Sequence, residues 1–135
     1  QGPRKMSAFS EALDVTSSGL FAQATRLRHL SENIANVDTP GYRRKTVAFE
    51  LERPRDSEVE RVSPSDVHLD RSELPRIHDP SHPLADDSGH YLGSNVDLII
   101  EIADAREAQR SYEANLKMFE QTRQMSSSLL EILRR

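Results

Sequence analysis

Helix-breaking residues are confined to the middle of this 135-residue chain, and that distribution constrains its fold more than any other feature. Apart from one in the first residues, the prolines lie between positions 40 and 83, and neither proline nor glycine follows Gly93. From Met6 to Asp38 the only such residue is Gly19. Because proline and glycine interrupt helices, both ends are free to be helical and the middle is not.

The N-terminal segment, residues 6–38, carries a seven-residue apolar repeat, formed by Met6, Leu13, Leu20, Leu27 and Ile34. A companion series, Phe9, Leu30 and Val37, is interrupted by Thr16 and Gln23. A stripe this narrow is typical of a coiled-coil seam. It predicts a helix that buries its stripe against a partner helix.

The C-terminal segment, residues 95–135, is predicted to be the longest element. Asp97 provides an anion in the first turn, where the helix dipole favours it. An apolar or small residue then recurs at helical spacing, at Leu98, Ile102, Ala105, Tyr112, Leu116, Phe119 and Leu129. About 37 of these residues are expected to be helical, and at about 1.5 Å per residue the helix would be roughly 55 Å long. We expect these stripes to form the assembly interface, within the chain and with neighbouring subunits.

The middle segment, residues 39–94, is predicted to hold a turn, short strands and a proline-rich loop. Residues 39–42 fit a type II turn, with proline second and glycine third. Alternation over 47–51 predicts a half-buried strand, and 58–62 and 67–69 are weaker strand candidates. The predicted fold class is mainly α with a small β-rich insert, in which two long terminal helices form an antiparallel coiled-coil-like pair.

Composition excludes several classes of protein. The net charge of −4 disfavours binding to nucleic acid or to an anionic membrane surface. The chain has no cysteine, and no apolar run is long enough to span a membrane. Neither a nucleophile elbow nor a phosphate loop occurs. We therefore expect no enzyme activity, cofactor, nucleic acid or membrane insertion.

Three local patterns left alternatives open. His78 and His82, with nearby aspartates, could hold zinc, but prolines prevent the helical spacing that would align them, and a solvated loop is favoured. The basic run 43–45 is interpreted as a solvated strand entry rather than a contact with an acidic neighbour. Asn36 is expected to cap the first helix, and Asn33 to face a neighbouring helix.

The run Asn33-Ile34-Ala35-Asn36-Val37-Asp38-Thr39-Pro40-Gly41-Tyr42 resembles the Asn-(Leu/Ile)-Ala-Asn-x-x-Thr-Pro-Gly-Tyr signature of flagellar rod and hook proteins, the axial family. The residues that match this motif are Asn33, Ala35, Asn36, Thr39, Pro40, Gly41 and Tyr42. Stretches 78–86 and 106–115 resemble a proximal rod member of the same family. The resemblance implies a helix pair of the D0 type.

It further implies a structural subunit of the proximal rod, the drive shaft and export channel that crosses the periplasm. Such proteins are exported by the flagellar type III apparatus, which agrees with the missing Sec-type signal peptide. Implied partners are further copies and the rod proteins FlgB, FlgF, FlgG and FliE, with the MS ring and the rod cap as further candidates. The alternatives are another axial subunit such as FlgB, or a soluble two-helix adaptor.

The first residues are expected to be foreign to the natural protein. Gln1-Gly2-Pro3 resembles the end of a protease-site linker, so residues 1–5 are interpreted as an expression remnant. Met6 is then the predicted natural start.

Overall fold

Two long helices run antiparallel and are joined by a middle segment of short strands. The structure is a computed structural model that describes residues 2–55 and 59–134, with side chains from residue 7 onward. Its elements in chain order are α1 (Gly2–Ala35), β1 (Lys45–Thr46), β2 (Phe49–Glu52), β3 (Arg61–Pro64), β4 (His68–Leu69), β5 (Arg76–His78), β6 (His90–Leu92) and α2 (Leu98–Arg134). The predicted fold class is confirmed.

The helix ends follow their capping residues. α1 ends at Ala35, short of the boundary predicted at Asp38, and the Asn36 side-chain amide donates to the Glu32 carbonyl at 2.8 Å. Asp97 precedes α2, and its Oδ1 accepts a hydrogen bond from the Ile99 backbone N–H at 3.1 Å. This is the N-cap geometry that satisfies a free amide of the first turn. α1 also includes residues 2–5, which the sequence had set aside.

The turn after α1 has the predicted type II form. The Tyr42 N–H donates to the Thr39 carbonyl at 3.1 Å, and Gly41 has a φ of 75°. Positive φ at the third position is costly for any residue with a side chain, so glycine is required there. The Gly41 N–H also donates to the Leu92 carbonyl at 3.1 Å, which ties the turn to β6.

The strands form three separate antiparallel pairs, β1 with β4, β2 with β3, and β5 with β6. The predicted half-buried strand over 47–51 is wrong in its burial, because every residue of β2 is exposed. β3 lies between β2 and α1, and the Val62 N–H donates to the Ser18 hydroxyl at 3.2 Å. β2 is therefore the outer strand of the hairpin, and the candidate strand over 58–62 falls at β3, with residue 58 outside the described residues.

The apolar core is small. In the part of the chain that the structure describes, the buried hydrophobic residues are Ala22, Leu30 and Ala108. Buried polar residues are Thr16, His29, Asn33, Ser94 and Glu101. Alanine buries little apolar area, and each buried leucine contributes only about 1.5–3 kcal/mol. Hydrophobic burial within one chain is thus a weak source of stability. No described helix combines the length and hydropathy of a membrane span.

Candidate assembly surface and polar cluster

The predicted apolar stripe of α1 lies beside the helix–helix contact rather than at its centre. Its members Leu13, Leu20, Leu27 and Ile34 are half-buried, and the side chain of Met6 lies outside the described residues. The series that looked interrupted is the more buried one, since Thr16 and Leu30 are buried and Gln23 is half-buried. Within this chain the two helices therefore meet through shorter and more polar side chains than the stripe suggested.

The predicted apolar stripe of α2 also lies partly beside the contact between the helices. The predicted residues Leu98, Ile102 and Leu116 are 40%, 39% and 36% exposed, whereas Ala105, Tyr112, Phe119 and Leu129 are half-buried. Its fully buried residues are Glu101 and Ala108. The buried residues of the two helices are thus mostly polar or small, with Leu30 as the exception, and the other large apolar side chains of the stripes remain at least partly in solvent.

Large apolar side chains are exposed along much of α2. Ile99 is 80% exposed, and the seven-residue series Met118, Met125 and Ile132 is between 55% and 67% exposed. Exposed apolar residues are ordinary when scattered, but a row at heptad spacing is the pattern by which helices pack together. These positions are not used by the contact between the two helices of this chain.

Asn33 is the centre of a buried polar cluster at the base of the helix pair, which comprises Asn33, Tyr42, Arg44, Lys45 and Glu101. Its Oδ1 accepts hydrogen bonds from the Lys45 N–H and the Tyr42 hydroxyl, both at 2.9 Å. Its Nδ2 donates to the Lys45 carbonyl at 2.9 Å and to Glu101 Oε2 at 3.2 Å. One side-chain amide thus pairs with both backbone groups of Lys45, as a neighbouring strand would.

Glu101 brings a formal charge into this cluster. It is fully buried, and its other carboxylate oxygen pairs with Nε of Arg44. Arg44 Nη2 also reaches Asp104 Oδ2 at 3.4 Å. A buried carboxylate is costly unless it is paired and hydrogen-bonded, and both conditions hold here. Its place in the first turn of α2 adds favourable interaction with the helix dipole.

A second asparagine fastens the same segment from the other side. Asn95 Oδ1 accepts a hydrogen bond from the Arg44 N–H at 2.6 Å, and its Nδ2 donates to the Asp70 carbonyl at 3.0 Å. The Ser94 hydroxyl bonds the Val37 carbonyl. Asn33 and Asn95 therefore hold the chain that leaves α1 against both helices.

The solvated-strand interpretation of the basic run 43–45 is wrong. Arg43 Nη1 donates to the carbonyls of Asp70 and Ser72, and Lys45 Nζ pairs with Glu32. The hydrogen bond from Lys45 is the main cause that lowers the pKa of Glu32, and the same bond raises the pKa of Lys45. All three cations hold this chain's own connector in place, which the charge pattern alone did not distinguish from solvation.

His29 lies on α1 next to the cluster, and it is buried with only 5% exposure. Neither ring nitrogen has a hydrogen-bond partner in the described structure, and the nearest carboxylate oxygen, on Glu32, is 3.9 Å from Nδ1. Burial is the largest influence on His29 and lowers its pKa, opposed by Glu32 and reinforced by Arg28 and Lys45. The neutral imidazole is therefore the form that the fold accepts.

A pH-dependent stability follows. Because the folded state lowers the pKa of His29 below the unfolded value of about 6.5, folding at lower pH must exclude a proton that the unfolded chain binds. We expect the contribution of His29 to be constant well above about pH 6.5 and stability to decline as the pH falls below that value. Thermal melts of the wild type and of His29→Leu on both sides of this pH test the point. The decline should shrink in the variant; an equal decline in both chains would assign it to other groups.

Ring contacts and hydrogen bonds to Asp86 connect the histidine-rich segment of β5, β6 and the loop between them. His82 stacks on Tyr91 with centroids 3.9 Å apart, and the rings of His78 and His90 are 4.7 Å apart. Asp86 is occupied by the Ser88 hydroxyl and by backbone N–H groups, which lower its pKa to about 2. Among the described residues no group of three or more potential ligands has the geometry for a metal ion.

Comparison with known protein families identifies the family to which this chain belongs. Residues 13–43 match the model of the flagella basal body rod protein, and residues 87–132 match the C-terminal model of the flagellar basal body rod FlgEFG proteins. The matched segments hold Asn33 and Glu101, respectively. A FlgC rod protein of Agrobacterium fabrum is 46% identical over 96% of this chain and 98% of its own length. The chain belongs to the FlgC family of flagellar basal-body rod proteins.

Other FlgC proteins are also similar over most of their length. That of Bacillus subtilis is 32% identical, over 94% of this chain and 99% of its own, and that of Aquifex aeolicus is 32% identical, over 89% and 93%. Membership of the FlgC family makes the chain a structural subunit of the flagellar rod. The polar cluster is therefore part of a rod subunit, and Asn33 and Tyr42 are among the motif residues that carried the resemblance.

The sequence did not single out several residues that form the polar cluster and the helix contact. Glu101 was passed over because it stands between apolar neighbours, and Ala108 because an alanine carries little hydrophobic signal. Arg44 and Asn95 act through contacts between distant segments. The available signal was the heptad that joins Glu101, Ala108 and Asn115, which marks the inner face of α2 by its small and polar character.

Proposed function

We propose that this chain is a subunit of the proximal rod, where its terminal helices pack with those of neighbouring subunits to build the drive shaft and export channel across the periplasm. The observation that carries the proposal is the set of exposed apolar side chains on a helix pair whose own apolar core is small. A chain with this surface gains most of its hydrophobic stabilisation from neighbours.

The assembly residues proposed are those of the two stripes, together with the exposed residues of α2. Leu98, Ile102 and Leu116 are exposed enough to contact a neighbour while Leu13, Leu20 and Leu27 border the contact within the chain. A helix flanked in this way by two apolar edges suits packing among several helices, as in a tube wall.

The proposed partners are further copies of this chain and the rod proteins FlgB, FlgF, FlgG and FliE, with the MS ring and the rod cap as candidates at the ends. We propose export through the flagellar type III apparatus, with ordering completed on assembly. Coupled folding and binding suits a chain with little core of its own. We propose no catalytic role, since the polar cluster is occupied by its own hydrogen bonds and ion pairs.

Deletion of the gene in the bacterium that makes this chain tests the proposal. Basal bodies from the deletion strain should retain the membrane ring but lack a rod, and the wild-type gene should restore both rod and swimming. An epitope-tagged copy should appear at the membrane-proximal end of the rod in electron micrographs. Complete rods in the deletion strain would contradict the function, and a tag at the distal end would contradict the proximal position.

A further inference from the structure

Three contacts define the antiparallel register of the helix pair. From the base outward, Asn33 meets Glu101, Arg26 lies 3.7 Å from Glu107, and Gly19 lies against Asn115. A Cβ built on Gly19 would be 3.1 Å from the Asn115 amide, so the helices approach closely at that level. The register is therefore well defined along the shared length of the helices.

The middle of the contact specifies this register only weakly. Ala108, Asn115 and Thr122 are short side chains at seven-residue spacing on the inner face of α2. A shift of α2 by one heptad would place one short side chain where another had been, opposite the small residues Gly19 and Ala22. In this part of α2 the fully buried residue is Ala108, and the larger side chains of Tyr112 and Phe119 are only half-buried, so packing penalises such a shift less than a core of large side chains would.

At the base of the helix pair a shift of α2 is costly, because it moves the buried carboxylate of Glu101 away from its partners. A one-heptad shift would put Ala108 at the level of Asn33 and Arg44, or carry Glu101 away in the opposite direction. Either shift leaves Arg44 and an Asn33 N–H without the carboxylate that now satisfies both. Buried charges and amides without partners are strongly disfavoured, so the cost of a wrong register is concentrated at this cluster.

We propose that the pair of buried Glu101 and half-buried Arg44, together with Asn33, selects the register of the two terminal helices. A buried polar group that fixes register at some expense in stability is known in packed helices. Register decides at which level along the helix pair α2 presents its outward apolar side chains, so for its consequence in the rod the inference rests on the proposed function. The selection itself is a property of the isolated chain.

The connector offers a rival explanation. Ser94 and Asn95 fasten the start of α2 to residues 37, 44 and 70 through neutral hydrogen bonds, and these bonds could set the register without Glu101. Asn95→Ala removes the side-chain bonds of one of these anchors and leaves the charged pair intact. It is therefore the matched control for removal of the charges.

Disulfide formation between introduced cysteines reports the register directly, because these 135 residues contain no cysteine. A Cβ at Gly19 would lie 3.2 Å from Asn115 Cγ, close to where a cysteine sulfur at 115 would sit, so Gly19→Cys with Asn115→Cys reports the native register. Gly19→Cys with Ala108→Cys, or with Thr122→Cys, reports a shift of one heptad either way. All three pairs are made in the wild type, in Asn95→Ala, and in Glu101→Leu with Arg44→Leu, and helicity is followed by circular dichroism.

In the wild type and in Asn95→Ala the shifted pairs should oxidise at least about tenfold more slowly than the native pair. In the double variant Glu101→Leu with Arg44→Leu, called here the charge-free variant because it lacks the charged pair, helicity should persist. The shifted cysteine pairs should then oxidise nearly as fast as the native pair. A folded charge-free variant that still forms only the native disulfide would overturn the proposal. So would release of the register by Asn95→Ala, or loss of helicity in the charge-free variant, which would make the pair a source of stability and not a selector. Rod assembly is not part of this readout, so failure of the proposed function would leave the result unchanged.

Discussion

Asn33→Ala is expected to lower the free energy of unfolding by about 3–4 kcal/mol, the largest effect of any single truncation at the polar cluster. The amide is fully buried and makes four hydrogen bonds. Its removal leaves the Lys45 N–H and carbonyl and the Tyr42 hydroxyl without these partners and takes one donor from a buried carboxylate. Unfolding in urea, followed by circular dichroism, measures the loss.

Asn36→Ala is the matched control for that experiment. Asn36 belongs to the same motif and is three positions away, but it is only half-buried and bonds the Glu32 carbonyl and the Thr39 hydroxyl locally. Its truncation should cost about 1 kcal/mol or less. Equal losses in the two variants would show that the motif acts mainly as a helix cap, and that the contact with α2 matters little.

Ile99→Asp is expected to abolish rod assembly and swimming while the purified chain keeps its wild-type helicity and melting temperature. The side chain is 80% exposed, so the substitution disturbs the fold of the single chain by no more than about 0.5 kcal/mol. In the assembled rod the same position would have to bury an aspartate among apolar neighbours, which is strongly unfavourable. Swimming in soft agar and electron micrographs of basal bodies provide the readouts.

Ile99→Leu keeps the apolar character and nearly the volume of the side chain, and it should support normal swimming. Together the two variants distinguish the effect of a charge at this position from the effect of any change of side chain there. Normal rods in the Ile99→Asp strain would exclude this part of α2 from the assembly interface and would remove the main support for the proposed packing.

The sequence was sufficient for the two helices and the turn between α1 and β1. Helix breakers marked where the helices could not extend, and the spacing of Pro40 and Gly41 determined the turn type. These are local properties, and local rules predict them well. The expected caps also formed, since Asn36 and Asp97 bond groups within a few residues of themselves.

The sequence was insufficient where distant segments meet. Apolar periodicity assigned Leu27 and Leu116 to an interface within the chain and with neighbouring subunits, but it did not indicate that the fully buried residues of the helix pair would be Ala22, Ala108 and members of the polar cluster. An apolar stripe indicates that a helix packs, but not whether its partner lies in the same chain. The role of Arg44 was likewise ambiguous from the sequence, because its partner Glu101 lies 57 positions away along the chain.

The most direct test of this account is the accessibility of Ile99 in the purified chain and in the rod. Because these 135 residues contain no cysteine, Ile99→Cys introduces a single thiol into them, which a maleimide labels and mass spectrometry quantifies. In a strain that still swims, we expect fast labelling of the purified chain, slow labelling within intact basal bodies, and fast labelling again after these are denatured. Equally fast labelling in the purified chain and in intact basal bodies would mean that no neighbour covers this surface, and the account would be wrong.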